Sequence, residues 1–196
     1  MTNSENYIKI IDTTGLTAVK PVKSTKIVIN EQNVTLNVGS KKKLTTTIIP
    51  ANTTNKEVVW SSSGSKVVTV DQTGTVTALK AGTVTITAKT KDTGKTGTTT
   101  VTVKVPVTGI KLNKTTTTLN VGSSEKIIPT ILPSNATNKG VTWTSANTSI
   151  ATVSSSGTVK GISAGTTTIT ATTKNGKKTA TLTVKVIKKR SEEHTS

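Results

Sequence analysis

Residues 67–88 read VVTVDQTGTVTALKAGTVTITA, and residues 150–171 read IATVSSSGTVKGISAGTTTITA. In both stretches valine, isoleucine or alanine alternates with threonine or lysine. The alternation breaks at a turn ending in Gly74 or Gly157, and again at Ala81-Gly82 or Ala164-Gly165. A period of two belongs to a strand with one face buried, and glycine at fixed offsets marks the turns between such strands. The two stretches lie 83 residues apart, and the same spacing holds outward from them. It relates LNVGS at 36–40 to LNVGS at 119–123, Pro50 to Pro133, Asn55-Lys56 to Asn138-Lys139, and Trp60 to Trp143. A period this long exceeds the 20–50 residues of solenoid repeats, so each copy is expected to bury a core of its own.

Seven or so short strands per copy, separated by turns and with no segment of helical period, predict an all-β chain of two tandem immunoglobulin-like β-sandwich domains. The expected sandwiches are residues 25–105 and 107–187. Residues 1–24 are expected to be a leader or the end of a truncated preceding domain, with YIKII at 7–11 as a strand. Past Lys91 the eye pairs VTVKV at 101–105 with LTVKV at 182–186, an offset of 81. That pairing predicts two extra residues in the first copy's last hairpin, and a two-residue type I′ turn at Asn175-Gly176 in the second.

Composition agrees with strands. Threonine supplies 47 of 196 residues, phenylalanine is absent, and the aromatics are Tyr7, Trp60 and Trp143. β-branched side chains are stiff in helices and suit a pleated surface. With no cysteine there is no disulfide to bridge the sheets, so Trp60 and Trp143 are expected to serve as structural core residues, one per copy. No run of 18 apolar residues is present that could span a membrane. The opening MTNSENYIKIIDTTG lacks the basic and apolar regions of a secretory signal. Residues 188–196 read as a tail. Within it RSEEHTS at 190–196 holds the chain's one arginine and one histidine, and looks like the translation of a common sequencing-library adapter. It is therefore set aside as a scar, and the chain as a fragment.

Each copy also resembles a group 2 bacterial immunoglobulin-like domain. The matching signs are VTGIKLN at 107–113, LNVG at 36 and 119, IIPANTTNK at 48–56, VTWTS at 141–145, IATVSSSGTVKG at 150–161 and AGTTTITA at 164–171. They occur in order, and most occur twice. The family is repeated in intimin- and invasin-like adhesins, in surface proteins and in secreted glycosidases. The resemblance implies a sandwich fold and a structural or adhesive segment of a cell-surface or extracellular bacterial protein, spacing or presenting a functional module, with a host surface receptor among its possible partners.

Chemistry is hard to find. The single histidine lies in the tail, so no serine has an imidazole partner. Glu31, Glu57, Asp71, Asp92 and Glu125 are scattered singly through turns. In the second copy Asp71 and Asp92 become Ser154 and Asn175, which argues against a repeated calcium site. No catalytic residue, cofactor or metal is expected. What remains is charge, +17 in all, from 26 basic and nine acidic residues. A surplus that large attracts polyanions. The lysine run Lys41, Lys42, Lys43 is the candidate contact for an anionic cell-wall or host polysaccharide. Ser124 and Glu125 stand where Lys41 and Lys42 do, so the first copy is expected to bind better. Specific nucleic-acid binding is not expected, because aromatics for base stacking are missing. The chain is expected to be a monomer.

Overall fold

The structure, a computed structural model, describes residues 8–10 and 17–188. The remainder of the expected strand at 7–11 and all of residues 190–196 lie outside the described residues. No helix is present among them, and none could therefore cross a membrane. The chain divides into two compact units, Met1–Lys104 and Val105–Ser196.

In the first unit a short antiparallel pair, β1 (Ile8–Ile10) and β2 (Thr17–Val19), precedes the sandwich. The sandwich is built from β3 (Lys26–Ile29), β4 (Val34–Asn37), β5 (Lys41–Lys43), β6 (Thr46–Ile49), β7 (Val58–Ser62), β8 (Val68–Val70), β9 (Thr75–Ala78), β10 (Gly82–Thr90) and β11 (Thr96–Lys104). One sheet has the order β4-β11-β10-β7. Facing it are the pair β3-β6 and the three-stranded sheet β5-β9-β8. The second unit repeats this plan with β12 (Gly109–Leu112), β13 (Thr116–Asn120), β14 (Ser124–Lys126), β15 (Pro129–Leu132), β16 (Val141–Ser145), β17 (Ala151–Val153), β18 (Thr158–Gly161), β19 (Gly165–Thr173) and β20 (Thr179–Ile187). Its large sheet runs β13-β20-β19-β16.

The alternation sorts residues between the faces as expected. From β10 Val84, Ile86 and Ala88 point inward. They meet Val101 and Val103 of β11 and, across the sandwich, Ile27, Ile29, Val68 and Val76. The outward positions are largely threonine, such as Thr166, Thr168, Thr170 and Thr172 of β19, whose neighbours in β20 are Lys185, Thr183, Thr181 and Thr179. Threonine keeps β propensity there without exposing apolar area.

In each unit the first strand of the large sheet runs parallel to the last strand of the unit. Val34 to Asn37 pair with Val101 to Lys104, and Thr116 to Asn120 pair with Thr183 to Ile187. These registers differ by 83 residues throughout, as do the hairpin registers Lys89↔Thr96 and Thr172↔Thr179. The first copy therefore has no two extra residues, and the true equivalent of Val101 is Val184, not Leu182. The expected type I′ turn is corrected too. Both hairpins close on a four-residue loop, with the Thr90 amide donating to Lys95 O and the Thr173 amide to Lys178 O. Positive φ falls on Gly176 and Lys177 rather than on Asn175. A buried hydroxyl widens the loop, because Thr90 Oγ1 accepts the Lys95 amide at 3.0 Å and Thr173 Oγ1 the Lys178 amide at 2.9 Å.

The cores differ in detail. Trp60 is 7% exposed, while Trp143 is half-buried. Gln72 marks one difference between the two sites. Its amide bonds the backbone of Trp60 on both sides, accepting from N at 3.2 Å and donating to O at 3.3 Å, across the free edge of β7. Ser155 holds that place in the second copy and is too short to do this. Two buried hydroxyls, of Thr99 and Thr167, have no partner among the described residues. Each stands where the other copy is aliphatic, Leu182 and Val84 respectively.

Candidate functional site

The lysine run is divided by the strand it lies on. In β5 Lys41 stands opposite Thr77, Lys42 opposite Val76 and Lys43 opposite Thr75. Successive side chains alternate between faces, so Lys42 leaves the sheet on the side of fully buried Val76 while Lys41 and Lys43 leave on the other. Three consecutive lysines here are not one patch.

Two of the three also have local employment. The Glu31 carboxyl is held below the usual range, with the charge of Lys42 as the least of the causes. There partial burial, which alone would raise it, is outweighed by the Thr45 amide (2.8 Å) and hydroxyl (3.0 Å). In the second copy the polarity of this pair is reversed. Lys114 replaces Glu31 and Glu125 replaces Lys42, and the two form an ion pair in which Lys114 and then the Thr117 hydroxyl lower the Glu125 carboxyl. The substitution at position 125 is thus half of a charge swap. Lys43 donates to the Thr73 carbonyl, and Lys126 to the equivalent Ser156 carbonyl. Both tie a strand to the neighbouring turn.

The acids are employed in the same local way. The Asp71 carboxyl is lowered by the Thr73 hydroxyl and the Thr75 amide within its own turn. Asp92 reaches back to the start of the sandwich. Partial burial works against its charge, but the Ser24 hydroxyl and amide, the latter at 2.7 Å, lower its carboxyl on balance. Among the described residues no three of His, Cys, Asp or Glu gather where a metal could be held. The depressions lined by Val121, Ile162 and Ala164, and by residues 54–57, are open to solvent.

Four further lysines lie on two joined loops of the second unit. The Lys174 amide donates to Gly140 O at 2.8 Å, which joins the hairpin loop 174–177 to the segment before β16. Lys139, Lys174, Lys177 and Lys178 are exposed on these loops, and no acid accompanies them there. In the first unit the same loops carry Lys56, Lys91 and Lys95 together with Glu57 and Asp92, and Lys91 is paired with Glu57 at 3.0 Å. The sequence hides this cluster because its members are up to 39 positions apart.

The chain matches the family of bacterial Ig-like domains, group 2, over residues 22–103 and again over 106–184. An uncharacterized protein of Clostridium acetobutylicum is 36% identical over 157 residues, which cover 80% of this chain and 16% of that protein. An Ig-like virion protein of Serratia phage KSP90 is 36% identical over 165 residues, covering 82% of this chain and 64% of the phage protein. The chain thus spans less than two thirds of either relative. Among solved structures, a C-terminal 282-residue fragment of intimin in complex with the intimin-binding domain of its translocated receptor aligns at 19% identity. That alignment covers 84% of this chain and 64% of the fragment, with a TM-score of 0.46.

Proposed function

We propose that this chain, which belongs to the group 2 family of bacterial Ig-like domains, is a non-catalytic structural segment of a surface-exposed or secreted protein, whose modules space or present a functional part joined to them. The observation that carries this reading is the parallel pairing of β4 with β11 and of β13 with β20. These strands lie close to the two ends of each unit. Tension along the chain would therefore load several ladder hydrogen bonds together in shear. A hairpin at that place would instead open one bond at a time.

Two further observations support it. Among the described residues, Glu31, Asp71, Asp92 and Glu125 are engaged in single turns and pairs rather than converging on a cleft. One relative is an Ig-like virion protein, and a structural role suits this chain too. Single-molecule extension of the full chain tests the reading. Two abrupt events are expected, each releasing roughly 28 nm, since a module of some 80 residues extends by about 3.5 Å per residue. Yielding in small, low-force steps would refute a load-bearing role.

A further inference from the structure

We propose that the loop pole of the second unit, formed by residues 137–140 and 174–178, binds a linear anionic polysaccharide through Lys139, Lys174, Lys177 and Lys178. This goes beyond the spacer reading and does not depend on it. Two copies of one framework make the comparison internal to the molecule. The framework holds the two loops at the same register in both units, closed by Thr90 and by Thr173. In the first unit it carries acids at Glu57 and Asp92. Gly140 and Asn175 replace them in the second, and Gly94 becomes Lys177. Every one of these exchanges makes the pole more positive, although the fold needs none of them.

The chemistry of the cluster selects the ligand. Lysine offers compact charges on flexible stems, without the planar fork that fixes one phosphate or carboxylate. Four such charges on two loops suit a chain whose sulfates or carboxylates recur along its length. The Asn138 side-chain Oδ1 accepts the Gly140 amide at 2.9 Å, which leaves the side-chain NH2 to donate to a sugar oxygen or a sulfate. The loops contain no aromatic side chain on which a base could stack, so a single-stranded nucleic acid would gain charge contacts alone. Lys41, Lys42 and Lys43 are the poorer candidate, divided between two faces and partly engaged.

Fluorescein-labelled heparin titrated into the full chain near 100 mM salt tests the assignment. The variant K139Q/K174Q/K177Q/K178Q should bind about tenfold more weakly, four exposed contacts of modest strength acting together. K41Q/K42Q/K43Q should stay within about threefold of the parent, its charges being dispersed and screened. Asn175→Asp, which restores the first copy's acid with every lysine in place, should weaken binding in the same direction. The proposal is overturned if the parent does not bind heparin, if the loop variant binds like the parent, or if the 41–43 variant loses as much. An oligonucleotide bound as tightly as heparin at the same salt would overturn the polysaccharide assignment. None of these failures touches the spacer reading, which rests on mechanical response.

Discussion

The indole of Trp60 lies directly over the α-carbon of Gly74. A β-carbon at that glycine would stand 2.8 Å from Cζ2 of the ring and 2.9 Å from the carbonyl oxygen of Leu44. The second unit repeats the relationship, with the corresponding point on Gly157 at 2.7 Å from Trp143 Cζ2. Both glycines also have positive φ, +84° and +86°. Conformation and space therefore exclude a side chain for separate reasons. Gly74→Ala should cost about 1–2 kcal/mol for the left-handed backbone and about 1–3 kcal/mol more for overpacking. Denaturant unfolding followed by tryptophan fluorescence measures it. A loss below about 0.5 kcal/mol, the ordinary range for surface changes, would mean that the ring moves freely aside.

The tryptophans should not be equivalent energetically. Trp60→Ala should destabilise its unit by about 3–5 kcal/mol, the usual range for a buried aromatic, and Trp143→Ala should cost less because the ring is half-buried. Gln72→Ser, which gives the first unit the shorter side chain of the second, should leave Trp60 more open to a fluorescence quencher. Equal quenching of the parent and Q72S proteins would show that Gln72 does not shield the ring.

The buried hydroxyls of Thr99 and Thr167 offer stabilising substitutions. An unpaired buried hydroxyl carries a desolvation penalty of about 1–3 kcal/mol, and valine fills nearly the same volume. Thr167→Val, which installs the residue of the first copy, should raise stability by about 1 kcal/mol, and Thr99→Val by a similar amount. A fall in the denaturation midpoint of either variant would show that the hydroxyl has a partner in solution, such as a water.

Much of this architecture is legible in the sequence. The 83-residue spacing and the period of two place the strands, their inward residues and the division into two sandwiches. The register of the last hairpin is not legible in the same way, for a physical reason. A slide of two residues leaves every side chain on its original face, so alternation cannot detect it. Lys41, Lys42 and Lys43 are adjacent along a strand, and adjacency on a strand is not adjacency on one face. The converse conceals Lys139 and Lys174, which the fold brings together through Gly140 O. The ion pair of Lys114 with Glu125, and the reversed charges at Glu31 and Lys42, are likewise hidden, since each joins a loop residue to a residue of a strand 11 positions on.

Acid should separate the two units. Asp92, held by Ser24, has its carboxyl below the normal range, as do Glu31 and Asp71 in the same unit. The second unit has Glu125 in that condition. A carboxylate lowered on folding contributes stability that is complete above its unfolded value, about 3.9 for Asp and 4.3 for Glu. The contribution fades as pH falls through the folded value, because the unfolded chain then takes up protons more readily than the folded one. Between pH 5 and pH 3, roughly, the first unit should therefore lose more stability than the second. Asp71 is fully exposed to solvent and adds little, so Asp92 and Glu31 carry most of the difference. Each unit has its own tryptophan, so W143F protein reports on the first unit and W60F protein on the second. In the W143F background Asp92→Asn should lower the midpoint at pH 7 and flatten its decline toward pH 3. The second unit already has an amide there, Asn175, with Val107 in the place of Ser24, and should show the flatter profile without mutation. Parallel decline of both units, or a D92N profile as steep as the parent's, would show that the carboxylate latch does not contribute.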